Sequence, residues 1–264
     1  MDEQAFMPAV KPELEAVVFD AGGTLVRIDY EWLVEVLTGL GVTLDLDTMR
    51  RAEVEGRRRY DAAASAMPNT PRHGPHPTLG SVAPSRAYFA GMLEAAGCPA
   101  THLEDVLARI QQRQVAPSLL WSRPKEGMRH AMDALAALGV RMCCVSNSDG
   151  RAELHLERTG MRDGLEFVID SQVVGLEKPD PRIFALALER LGVAPERAVY
   201  VGDIRSVDAV GARNAGMHGV ILDPFGDYAE PDQLAIRRPE ELPALLASRF
   251  TLVSSRPGNR VTPS

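Results

Sequence analysis

Lysine is almost missing from this chain. Of its 29 basic residues only Lys11, Lys125 and Lys178 are lysines. Arginine meets nearly every other need for positive charge, so a lysine kept at one place is more informative than usual. Cysteine is as scarce. Cys98, Cys143 and Cys144 are odd in number, and no pair has metal-ligand spacing. That argues against a disulfide framework and a cysteine metal site, and leaves small core residues in a reducing compartment. No apolar run reaches the roughly 18 residues that span a bilayer. The first ten residues, MDEQAFMPAV, are acidic and lack a charged-then-apolar leader pattern. The expectation is a soluble, cytoplasmic protein with no membrane partner.

The net charge is −7 and the pI is about 5.4. Nucleic-acid binders favour a basic surface, so no nucleic-acid partner is expected. A small anionic substrate stays open, because local charge decides that. The 264 residues, 45% apolar, suit one α/β domain with an inserted subdomain.

Residues 1–13 read as a loose lead-in. LEAVVFD, 14–20, reads as a buried strand ending at a carboxylate, and the glycine-rich turn AGGTL follows. Segments 30–40, 45–66, 85–97 and 100–115 have helical character. Residues 67–84 hold five prolines and two glycines and read as a long loop. From 124 onward strands and helices alternate: a helix ending at Gly139, VRMCCVSNS, a helix ending at Gly160, FVID, PRIFALALERLG, RAVYVGD, VDAVGARNAGM and HGVILDP. That alternation implies βαβ units and a parallel sheet. The predicted fold is α/β, a doubly wound, Rossmann-like parallel sheet. Its core is 14–26 with 121–250, a helical subdomain of 27–120 is inserted after the first strand, and the 251–264 tail frays.

In such sheets ligands sit at the carboxyl ends of the strands, and three predicted strands end in Asp20, Ser146 and Asp203. Asp20 precedes Ala21-Gly22-Gly23-Thr24. A carboxylate there can attack an electrophile, the glycines can turn backbone N–H groups toward an anion, and Thr24 can fix the turn. The plain alternative is an aspartate that only makes a turn. Ser146 and Asn147 can bind a phosphoryl oxygen or simply cap a helix. Lys178, in GLEKPD, can neutralise a nucleophile and a phosphate or be a solvated loop lysine. Asp203 and Asp208, in VYVGDIRSVD, suit a hard cation such as Mg²⁺, or form an N-cap and turn pair.

Taken together, VVFDAGGTL, VSNSDG, GLEKPD and YVGDIRSVD resemble, in order, the four signature motifs of the haloacid dehalogenase-like hydrolase superfamily. The insertion resembles that family's type 1 cap. The resemblance implies a phosphatase acting on a small phosphorylated metabolite through a phosphoaspartate at Asp20. Mg²⁺ would be held by Asp20, the Gly22 carbonyl and Asp203, with Asp208 completing or orienting the cluster. Gly23, Ser146, the Asn147 backbone and Lys178 would face the phosphoryl oxygens. Such catalysis is mostly positioning and charge neutralisation.

One departure matters. Family phosphatases carry a second aspartate where this chain has Gly22, and glycine cannot move a proton. General acid–base catalysis contributes ~10²–10⁴-fold, so another group, a water or a good leaving group must compensate. Asp29 and Glu31 of the insertion, with His73 and His76 on the proline-rich loop, lie in the region that could supply one, while its Arg50, Arg51, Arg57, Arg58 and Arg59 could meet an anionic leaving group or form a solvated helix face. Attack on carbon, as in 2-haloacid dehalogenases, is the alternative, since those enzymes also lack the second aspartate. A catalytically silent phosphate-ligand or partner-binding module is another. The Schiff-base branch of the family needs a lysine in the insertion, and residues 27–120 contain none.

Overall fold

The structure, a computed structural model, describes residues 11–66, 83–115, 119–228 and 233–254. In chain order the strands are β1 (Glu13–Leu14), β2 (Ala16–Phe19), β3 (Val26–Ile28), β4 (Trp121–Pro124), β5 (Arg141–Ser146), β6 (Val168–Asp170), β7 (Ala198–Gly202), β8 (His218–Leu222), β9 (Leu234–Ile236) and β10 (Thr251–Leu252). The α-helices are α1 (Tyr30–Thr38), α2 (Leu46–Ser65), α3 (Ala83–Ala95), α4 (Leu103–Val115), α5 (Met128–Ala137), α6 (Ala152–Thr159), α7 (Ser171–Val174), α8 (Pro181–Leu191), α9 (Val210–Asn214) and α10 (Leu242–Arg249).

Six strands form one parallel sheet in the order β6-β5-β2-β7-β8-β9. The central strands are covered on both faces and so read as continuous apolar runs. Along β2, Val17 and Phe19 pack beneath α5 and α10, while Ala16 and Val18 pack beneath α8 and α9. The chain runs outward to one edge through β5 and β6, then returns to the other side of β2 with β7. The order therefore reverses between β2 and β7, and the crevice at their carboxyl ends is where such sheets take ligands. Asp20 and Asp203 immediately follow those two strands.

Helices α1 to α4 form a separate layer with its own core, including Leu33, Leu37, Met49, Phe89, Met92 and Ile110. The chain enters and leaves this insertion through β3 and β4, which pair antiparallel. Asp29 caps α1, accepting from the Trp32 N–H at 3.1 Å, and Asp45 caps α2, accepting from the Thr48 N–H at 2.8 Å. Each oxygen satisfies an N–H that the first helical turn leaves without a partner. No helix among the described residues is long and apolar enough to cross a membrane.

The ends of the core depart from expectation. Glu13–Leu14 and Thr251–Leu252 pair as parallel strands, and the Thr251 N–H donates to the Pro12 carbonyl at 2.8 Å. The lead-in and the tail are therefore not loose at these residues, because each satisfies the other's backbone. Residues 1–10 and 255–264 lie outside the described residues. So does 67–82, most of the proline-rich stretch with His73 and His76; Pro84 already lies in the first turn of α3. The helix expected from 207 begins earlier, with a turn of π-helix at Arg205–Ala209.

Candidate active site

The carboxylates meet at the switch point of the sheet. Asp20, Asp203 and Asp208 are buried, and each offers an oxygen within 4.8 Å of the others. Lys178 ties two of them together: its Nζ donates to Asp20 Oδ1 at 2.6 Å and to Asp208 Oδ1 at 2.8 Å. Its third donor goes to the Tyr200 hydroxyl at 2.6 Å, which itself donates to the Val145 carbonyl at 2.7 Å. An ammonium has three N–H groups, so all three are committed to the protein. In this arrangement Lys178 neutralises and positions the carboxylates, and a phosphoryl group reaches it only by displacing one of these partners.

The loop holding Lys178 is pinned by Asn147. The Asn147 side chain donates to the Lys178 carbonyl at 2.9 Å and accepts from the Lys178 N–H at 2.8 Å. Asp208 is pinned in turn. Its Oδ2 accepts from the N–H groups of Asp203 and Ile204 at 3.0 and 2.9 Å. Gly202 is needed here, because a Cβ at that position would stand 2.2 Å from the Asp208 carboxylate. Both Asp208 oxygens are thus engaged, which suits an orienting role over direct ligation.

Electrostatics express the crowding. Burial pushes the Asp20 carboxyl up to about 6, against the Lys178 ammonium, with Asp208 adding to the rise. Burial, then the charges of Asp20 and Asp208, drive Asp203 well above the carboxylate range. Burial opposes the charge on Lys178, but Asp20 and Asp208 outweigh it and hold the ammonium protonated. Three buried carboxylates around one contacting ammonium are short of positive charge. A hard divalent cation with oxygen ligands fits that deficit.

The cavity above the cluster measures about 170 Å³. Gly22, Ser146 and Asn147 line it beside the acidic groups. Gly23 does not. Its N–H donates to the Val26 carbonyl at 2.7 Å and so is not free to cradle an anion. At φ +82° its α-hydrogen faces Asp203, where a Cβ would lie 2.2 Å from Oδ2. Gly23 thus provides close packing under the metal-ligand candidate. Thr24 is buried and its hydroxyl finds no partner among the described residues, so it does not fix the turn as expected.

The insertion's candidates for proton transfer or leaving-group contact point elsewhere. Asp29 accepts from Arg113 Nη2 at 2.7 Å, and Glu31 binds Arg27 through both oxygens. Arg50 pairs with Asp47 and Glu126, Arg58 with Asp227, and Arg59 with Glu55 and Glu94, while Arg51 lies over the Phe225 ring. Arg57 is buried 4.0 Å from Asp227. None of these lines the cavity. The walls instead include Tyr60, Tyr88, Phe89, Gln114, Trp121, Arg151 and His155, which sequence reasoning missed because they come from distant segments. A carbonyl only accepts, so the 2.9 Å contact of His155 Nδ1 with the Trp121 carbonyl places the proton on Nδ1 of the neutral ring. Burial lowers the pKa of that imidazole.

Known proteins place the chain among relatives. The family model for haloacid dehalogenase-like hydrolase matches residues 14–216. The chain is 43% identical over 95 residues to glyceraldehyde 3-phosphate phosphatase of Methanopyrus kandleri, covering 33% of this chain and 40% of that protein. It is 32% identical over 154 residues to phosphoserine phosphatase of Thermus thermophilus, covering 56% and 59%. The chain spans about half the length of the curated relatives it matches, from 39% to 59%. A solved dehalogenase with an intermediate complex superposes with TM-score 0.61 at 18% identity, over 89% of this chain and 98% of that one, which shows a shared fold.

Proposed function

We propose that this chain, which belongs to the haloacid dehalogenase-like hydrolases, is a Mg²⁺-dependent phosphomonoesterase that works through Asp20 and lacks the usual aspartate acid–base. The observation that carries this reading is the buried cluster of Asp20, Asp203 and Asp208 around Lys178. Similarity to two phosphatases supports the same reaction class.

Asp20, Asp203 and the Gly22 carbonyl would hold Mg²⁺, which supplies positive charge opposite the phosphoryl oxygens. Asp20 is the nucleophile and forms a phosphoaspartate. Ser146 and the Asn147 backbone bind phosphoryl oxygens, and Asp208 and Asn147 hold Lys178 against the nucleophile. Water then releases inorganic phosphate and restores Asp20. The helical insertion acts as a cap that supplies the outer wall of the cavity, and the protein works in the cytoplasm on a small phosphorylated metabolite.

Attack on carbon, as in 2-haloacid dehalogenases, is favoured by one observation: nothing at Gly22 can protonate a leaving oxygen. Phosphate release from acetyl phosphate and metabolite phosphates, with and without Mg²⁺, beside Asp20→Asn, separates the two. Mg²⁺-dependent release that Asp20→Asn abolishes supports the phosphatase. Halide release from 2-haloacids that ignores Mg²⁺, without phosphate release, would replace it.

A further inference from the structure

The cavity is lined by two kinds of group: the acidic cluster, and the rings of Tyr60, Tyr88, Phe89 and Trp121. The Tyr88 hydroxyl is committed to Glu53, so its ring is what remains for a ligand. Arg151, also in the lining, is held through two hydrogen bonds by Asp149. Among the described residues, then, the one arginine in the lining is committed, and the Asp149 and Glu177 carboxylates, also in the lining, would repel an anionic leaving group. Gln114 lines this cavity and a smaller one between α3 and α4; it is 5% exposed, and its Nε2 has no partner among the described residues. An unpaired buried donor costs about 1–3 kcal/mol, and a turn of the amide toward the cavity would let a ligand oxygen satisfy it.

The second observation is chemical. Gly22 offers no acid to the leaving oxygen, and the space beside it is filled, since a Cβ on Gly22 would already stand 3.3 Å from the Trp121 ring. An alkoxide leaves poorly without a proton, whereas an oxygen attached to an aromatic ring leaves as a stabilised anion. The same ring suits aromatic walls. The whole cavity, the space at the acidic cluster included, is about 170 Å³, close to the ~150 Å³ void that accepts benzene, so beside a phosphoryl group it leaves room for no more than about one ring.

We infer, resting on the reading of Asp20 as phosphoryl acceptor, that the substrate is an aryl phosphate. Its single uncharged ring lies among Tyr60, Phe89 and Trp121, and an oxygen substituent on that ring accepts from Gln114 Nε2. In the first step a bond forms between the Asp20 carboxylate and phosphorus. The bond from phosphorus to the aryl oxygen breaks, and that oxygen leaves with the electron pair as a phenolate. In the second, water oxygen bonds to phosphorus and the bond to Asp20 breaks, restoring the carboxylate. One water proton stays on the phosphate and the other neutralises the phenolate. With no side chain at position 22 to activate water, the second step is the slower one.

The test is steady-state and rapid-mixing kinetics of the full chain with Mg²⁺ on phenyl, benzyl and the three hydroxyphenyl phosphates, O-phosphoserine and acetyl phosphate. Acetyl phosphate has a leaving group that needs no proton and little room, so it reports Asp20 chemistry independently of the aromatic lining. The expected kcat/KM for phenyl phosphate exceeds that for O-phosphoserine and benzyl phosphate by about 10²-fold or more, the scale of a general acid no longer needed. A burst of phenol precedes slower turnover. One hydroxyphenyl isomer outruns phenyl phosphate, and Gln114→Leu removes that gain. Phe89→Ala lowers the phenyl-to-acetyl phosphate ratio, which does not depend on the folded fraction. Turnover of acetyl phosphate with O-phosphoserine or benzyl phosphate matching phenyl phosphate overturns the aryl assignment and leaves the phosphatase standing. No turnover of any of them overturns both.

Discussion

The Trp121 ring stands where a side chain at position 22 would point: a Cβ built on Gly22 would lie 3.3 to 3.5 Å from three of its ring carbons. The glycine and the indole are thus one structural unit. Restoring an aspartate at 22 alone puts a carboxylate against the ring, while trimming Trp121 alone only opens space. The expected outcome is that Gly22→Asp changes kcat/KM for an alkyl phosphate by less than about tenfold. Gly22→Asp with Trp121→Leu should raise it by about 10²-fold, the lower end of general acid–base catalysis. Phosphate-release assays on the two single variants and the double variant measure the coupling. Additive effects would show that the ring does not exclude a side chain.

Lys178 is the only cation in contact with the Asp20 and Asp208 carboxylates among the described residues. Removing one partner of a buried pair leaves its counterpart charged and unmatched, which costs about 3–5 kcal/mol. Lys178→Met should therefore lose stability on that scale as well as activity. A cation bound to the native state adds RT ln(1 + [L]/Kd), so Mg²⁺ should restore part of the loss. Urea midpoints with and without Mg²⁺ check both. A variant as stable as the wild type would contradict the neutralising role.

The legible parts of the molecule were those whose chemistry is local in sequence. A strand buried on both faces shows as an apolar run, so β2, β5, β7 and β8 were visible, and so were the polar groups that end three of them. Pattern gave less warning of β3 and β4, which pair across the whole insertion, or of β1 and β10, two residues each from opposite ends of the chain. The acidic cluster of the site was legible because its residues sit in short motifs. The rest of the lining was not, because Phe89, Gln114, Trp121 and His155 converge only through tertiary packing. Gly23 was visible as a glycine, but only its contact with Asp203 shows that it packs under the carboxylate.

Asn147 illustrates a support that acts through another residue. Its side chain makes two hydrogen bonds with the Lys178 backbone, at 2.8 and 2.9 Å. Asn147→Ala should cost about 1–3 kcal/mol, since it removes both and leaves buried backbone groups unpaired. With the Lys178 loop released, kcat should fall more than KM rises. Thermal unfolding and steady-state kinetics read the two effects, and a KM change alone would assign Asn147 to substrate binding.

Within the insertion, Glu53 is buried and accepts from the hydroxyls of Tyr30, at 2.6 Å, and Tyr88. Burial disfavours its charge, but the Lys125 and Arg57 charges and the two hydroxyls outweigh it, and its pKa falls below the ordinary value. Glu53→Ala strands two buried hydroxyls and removes the counter-charge of Arg57, so a loss of about 3–5 kcal/mol is expected. Tyr30→Phe removes one hydrogen bond to a charged group and should cost about 1.5–3 kcal/mol. Denaturant titrations that ranked Tyr30→Phe above Glu53→Ala would contradict this account.

Acid should weaken the contact that joins β3 to α1. Hydrogen bonds from Arg27 hold Glu31 at a pKa of about 2, below its ordinary 4.5. The folded state thus binds this proton less readily than the unfolded chain does. The resulting stabilisation is full above pH 4.5 and disappears as the pH falls toward 2. Because the Glu31 side chain is 37% exposed, solvent screens the pair and its worth stays within about 1 kcal/mol. Glu31→Gln should accordingly be less stable than wild type by up to that amount at neutral pH, and the gap should close as the solution is acidified. Urea midpoints of both proteins, measured in steps from neutrality to the lowest pH at which each folds, give the difference directly. A gap that stays constant across that range would mean that packing, not charge, is what Glu31 contributes.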